Sequence, residues 1–124
     1  MNDSPDTQAT RPFRYCLNTS TIRRPNLTVM DALEVAAQAG YDGIEPWIRE
    51  FDEYVASGGS LSAYREKAES LNLKIVNVIA FIEWAVADNE QRDNGWREAR
   101  RNMEICREIG CGHLAAPPAG AKDE

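Results

Sequence analysis

The sequence predicts a parallel α/β fold of the β/α-barrel type, with four strands and three helices making up an incomplete eight-stranded barrel. Three observations predict it. Helix-ending residues recur at Gly40, Asn72 and Gly110, and each is followed within a few residues by a short apolar run. Such alternation of helix and strand calls for parallel strands joined by right-handed crossovers. The run KIVNVIAF is almost continuously apolar, as a strand covered on both faces should be. Finally, the first strand-to-helix turn, NTSTIRRPN, has no glycine and no Walker lysine, so it lacks what a doubly wound nucleotide binder would place there.

Residues 1–10, MNDSPDTQAT, are polar, small and proline-containing, and are expected to be a disordered leader to a single domain over 11–124. Residues 13–18 form the first predicted strand. Residues 28–39 follow as an amphipathic helix with Val29, Leu33 and Ala36 on one face and Thr28 and Asp31 at capping-box spacing. The second strand is short, residues 43–47, and ends in Glu45-Pro46-Trp47. A helix over 60–71 is capped by Ser60 and turns Leu61, Tyr64, Ala68 and Leu71 to one side. The third strand covers 73–81. A helix over 90–109 carries the stripe Trp96, Ala99, Met103 and Cys106, and residues 112–116 close the pattern.

Composition narrows the function. The 124 residues, 43% hydrophobic and 27% charged, suit one soluble domain, expected in the cytoplasm because no apolar run reaches the about 18 residues of a membrane span. Twenty acidic against fourteen basic side chains give a net charge of -6, the wrong sign for holding nucleic acid through its phosphates. Cys16, Cys106 and Cys111 have no metal-ligand spacing and read as thiols in a reducing compartment.

The order RYCLNTST, AAQAGYDGIEPW, ESLNLKIVNVIAF and ARRNMEICREIGCGHLAAPPAG resembles the first half of a xylose isomerase-like TIM barrel, the superfamily of sugar phosphate isomerases and epimerases. GYDGIE and the helix-IG-strand-PP ending are the most telling pieces. The likeness runs from about Phe13 to Gly120, over four of the eight strands of such a barrel. The resemblance implies a sugar or sugar phosphate isomerase or epimerase that moves a proton next to a carbonyl. It further implies a divalent metal (Mn, Mg, Co or Zn) held by Glu, Asp, His and Glu from later strands, beyond Glu124. On this reading the chain alone holds no catalytic residue and no metal ligand, and is inactive by itself. Inosose dehydratase-like lyases and abasic-site endonucleases belong to the same superfamily and remain weaker alternatives. A further alternative is a noncatalytic half-barrel that associates with a partner, or with itself, through open sheet edges.

Active sites of such barrels lie at the C-terminal mouth of the strands, which singles out Asn18, Glu45, Trp47, Phe81 and Trp84 as substrate-binding candidates. Strand parity turns Ile44 toward the helices and Glu45 into the barrel, either beside the substrate or paired with a cation such as Arg23, Arg24 or Arg49. Asn18 either bonds a sugar hydroxyl or shapes its turn. Trp47, Phe81 and Trp84 offer flat walls for a sugar ring or simply pack, and Glu83 reads as a solvated loop carboxylate. His113, the single histidine, falls at the start of its strand, the end that serves stability. Arg97, Arg100 and Arg101 with Glu98 and Glu104 read as a solvated helix face.

Overall fold

The computed structural model describes residues 11–121, so the predicted leader lies outside the described residues. The chain runs as strand β1 (Cys16–Asn18), helix α1 (Val29–Gln38), strand β2 (Gly43–Glu45), helix α2 (Ile48–Ala56), helix α3 (Leu61–Ser70), strands β3 (Lys74–Ile75) and β4 (Val78–Ile79), helix α4 (Asn89–Ile109) and strand β5 (Leu114–Ala115). A single 3₁₀ turn, Thr19–Ile22, follows β1.

All strand pairs are parallel. β1 pairs with β2 and β2 with β3, while β4 pairs with β5. A lone bridge between Trp47 and Ile79 joins the two sets, so the strands follow one another round a continuous arc. Burial is one-sided. Leu17, Ile44, Ile75, Val78, Ala80 and Ile82 are buried, whereas Cys16, Lys74 and Val76 stay exposed. Helices therefore cover one face of the sheet and leave the other open, which is half of a barrel wall rather than a doubly wound sheet.

The helix ends behave as predicted. Thr28 Oγ1 accepts from Asp31 N–H at 3.1 Å and Asp31 Oδ2 accepts from Thr28 N–H at 3.0 Å, closing the capping box of α1. Gly40, Asn72 and Gly110 all take positive φ, 81°, 55° and 80°, and the next residue donates back into the last helical turn each time. That is the left-handed stop for which glycine and asparagine are suited.

Three expectations need correction. α2 is a fourth helix in a stretch to which the sequence reading assigned no element. Its signal was present in Ile48 and Phe51, three apart and both buried, but a nine-residue helix beside a proline is easily taken for loop. The predicted strand 73–81 is interrupted. Burial alternates at Leu73 and Ile75, then resumes one position late at Val78, Ala80 and Ile82, so Val76–Asn77 holds one residue too many for a regular ladder. Trp96 and Met103 are about half exposed, not core, and the buried face of α4 is Gly95, Ala99, Asn102, Cys106 and Ile109. Gly95 sets that rotation. A Cβ there would stand 2.5 Å from the Glu83 carbonyl oxygen, so the glycine face is the one that can lie against the loop.

Candidate functional site

The mouth is built around one carboxylate. Asn18 and Glu45 are register partners at the ends of β1 and β2. Asn18 Nδ2 donates to Glu45 Oε1 at 2.6 Å, and Asn77 Nδ2 donates to Glu45 Oε2 at 2.9 Å. Two amides take the place of the cation considered as one alternative for Glu45, because the extra residue at Val76–Asn77 turns Asn77 toward β2. Asn18 has one possible orientation. Its Oδ1 accepts from Ser20 N–H at 2.9 Å and from Trp47 Nε1–H at 3.2 Å, leaving Nδ2 for the carboxylate. Glu45 is half-buried, with both oxygens occupied and its side chain fixed at the strand end.

Trp47 extends this row. Its indole lies 5.3 Å from the Phe81 ring, tilted by 36°, and Phe81 itself is 64% exposed and free to meet a ligand. Arg23 and Arg49, two of the cations considered for Glu45, instead lie over this indole at 5.8 and 5.0 Å from its centroid. Glu50, passed over by the sequence reading, fixes the loop. Its Oε2 accepts from Thr19 Oγ1–H at 2.6 Å and from Trp47 N–H at 2.8 Å, tying the β1 turn to the start of α2.

Asn18, Glu45, Trp47 and Phe81 are therefore brought together, and Trp84 is not connected to them. Trp84 Nε1 donates to the Ala116 carbonyl at 3.0 Å, fastening the loop after β4 beyond the end of β5. Glu83 accepts from Gln91 Nε2 at 2.7 Å, a bond within that loop and the first turn of α4. His113 is exposed, and its carbonyl accepts from Val78 N–H at 3.2 Å at the start of β5. Asn77 was the one clamp residue missed. The signal for it was a polar side chain in the middle of an otherwise apolar strand.

Electrostatics and donor sets limit the chemistry. Burial, and then the charge of Glu45, push the Cys16 thiol above its ordinary value, so it stays largely protonated near neutral pH although it is exposed. Among the described residues no three His, Cys, Asp or Glu side chains converge to hold a metal ion. Glu45, the carboxylate nearest the mouth, already has amide partners on both oxygens. The residues present do not fit a divalent metal. A concavity of about 730 Å³ is lined by Arg14, Tyr15, Cys16, Asp42, Lys74 and Val76 among others. It lies at the N-terminal ends of the strands, away from Glu45.

A family model described as xylose isomerase-like TIM barrel matches residues 33–124. No curated protein matches the sequence. Among solved structures, the IOLI protein with a binding zinc atom is similar over 90% of this chain and 40% of its own, at 22% identity and a TM-score of 0.79. D-psicose 3-epimerase in the presence of D-fructose is similar over 82% and 36%, at 16% identity and 0.67. An AP endonuclease, family 2, from Brucella melitensis covers 83% and 40%, at 19% identity and 0.58. The chain spans well under half the length of these structures, and at such identities the likeness is one of fold.

Proposed function

The chain belongs to the xylose isomerase-like TIM barrel family, and from that premise we propose that it forms the substrate-facing N-terminal part of an isomerase or epimerase acting on a small hydroxy-carbonyl compound such as a ketose. The observation that carries the reading is the row Asn18, Glu45 and Asn77 at the strand ends, with Trp47 and Phe81 alongside. Each Glu45 oxygen keeps a second acceptor site for a substrate hydroxyl beside its amide partner, and aromatic faces shelter the C–H side of a sugar ring. The proton next to the carbonyl is moved by groups on strands other than these, as are any metal ligands. The 124-residue chain alone is therefore expected to be inactive. The endonuclease reading draws nothing from the single exposed His113.

The reading is tested by fusing the chain to the C-terminal half of the D-psicose 3-epimerase barrel. Once circular dichroism shows the fusion folded, uptake of deuterium from D₂O into D-fructose is followed. Metal-stimulated exchange is expected, lowered about tenfold or more by Glu45→Gln on the usual scale for a lost polar contact to a bound substrate. A folded fusion that exchanges no faster than buffer would refute it.

A second reading, a half-barrel that closes against another half, is favoured by the open sheet face and by the unpaired outer edges of β1 and β5. Val76, 37% exposed, stands on that face.

A further inference from the structure

Resting on the isomerase reading, we infer that the substrate carries an oxyanion, as phosphate or carboxylate, and that Arg23 and Arg49 read it. Two different strand-to-helix turns bring these residues to one indole. Arg23 follows the 3₁₀ turn after β1, and Arg49 is the second residue of α2, with guanidinium carbons 5.8 and 5.0 Å from the Trp47 centroid. Among the described residues neither makes a salt bridge or a hydrogen bond, whereas Arg65, Lys67, Arg101 and Arg107 each hold a carboxylate. Two carboxylates of the same strand-to-helix turns are engaged elsewhere. Glu45 is held by two amides, and Glu50 by a hydroxyl and a backbone N–H.

On a chain of net charge -6, two exposed cations gathered at the mouth and left without acids form a local positive rim. An exposed cation–π contact is weaker than a forked, charge-assisted hydrogen bond to a carboxylate or phosphate, so an arriving oxyanion displaces the indole as partner. The division of labour follows. Glu45 meets hydroxyls at the floor, and the arginines hold the charged end at the rim.

The test follows the Trp47 indole N–H of the ¹⁵N-labelled chain, assigned with Trp47→Phe, during titration with D-fructose 6-phosphate, D-gluconate, D-fructose and inorganic phosphate. A shift with either anionic sugar that exceeds the shift with D-fructose at least tenfold is expected, and the stronger of the two identifies phosphate or carboxylate. Arg23→Gln with Arg49→Gln abolishes that response while the amide spectrum shows the fold retained. Equal shifts with D-fructose, equal shifts with inorganic phosphate alone (an adventitious ion only), no shift at all, or an unchanged response in the double variant would each overturn the inference. Exchange into neutral D-fructose by the fusion tests the isomerase reading separately, so the two can fail apart.

Discussion

At the residue scale, three thiols meet two environments. Cys16 faces the open side of the sheet, while Cys106 and Cys111 are buried where α4 ends. Cys106 is pushed up by its hydrogen bond with Cys111 and by burial. Native chain treated with excess thiol reagent should lose one thiol, and all three only in denaturant. Fast reaction of all three in the native state would contradict the packing at Gly110. Buried polar atoms offer a second check. The Tyr64 hydroxyl is fully buried with no partner among the described residues. A buried unsatisfied hydroxyl costs about 1–3 kcal/mol, so Tyr64→Phe should hold or raise stability by up to about that much in urea denaturation. A clear loss of stability would mean that the hydroxyl has a partner.

Elements were legible in proportion to how local their causes are. The stops at Gly40, Asn72 and Gly110 and the cap at Thr28 depend on a few neighbouring residues, and the sequence reading placed them correctly. Asp31 is held below the ordinary carboxylate range by Thr28 N–H and by the Thr28 side chain. A depressed folded value adds stability above the unfolded one, about 3.9, that is lost as pH falls through the folded value. Thr28→Ala removes the N-cap acceptor and should destabilise α1 by about 1 kcal/mol, whereas Asp31→Asn should remove the part of the stability that is otherwise lost as pH falls below about 4. Denaturation curves above and below that pH check the sign. The rotation of α4 was illegible, because Trp96 and Met103 satisfy the apolar period as well as Gly95 and Asn102 do. Only contact with the Glu83 carbonyl, a feature of the folded loop, decides it. Gly95→Ala should thus lose about 1–3 kcal/mol through overpacking, whereas Gly112→Ala, with nothing within 4 Å of its added Cβ, should be close to neutral. Equal midpoints for the two variants would refute the account.

At the scale of the whole molecule, the sequence conveyed the repeating unit but not the clamp. Helix and strand alternation is written along the chain, so four strand positions of a barrel could be counted. The partners of Glu45 could not, since they depend on which of two adjacent residues an irregular strand turns inward. The open face has its own expectation. A wall with two unpaired edges and exposed Val76 on its open face should self-associate. Sedimentation over a hundredfold concentration range should show mass rising with concentration, and Val76→Lys should suppress it. A strict monomer throughout would refute the half-barrel reading.

The break between β3 and β4 makes Asn77 unusual in one more respect. Val76 N–H bonds to Ile44 and Ile79 N–H to Pro46, but among the described residues the Asn77 backbone makes no hydrogen bond. Its side chain nevertheless reaches the carboxylate at the mouth. Position 77 is accordingly where a saturation library could retune selectivity while the surrounding scaffold keeps its pairing.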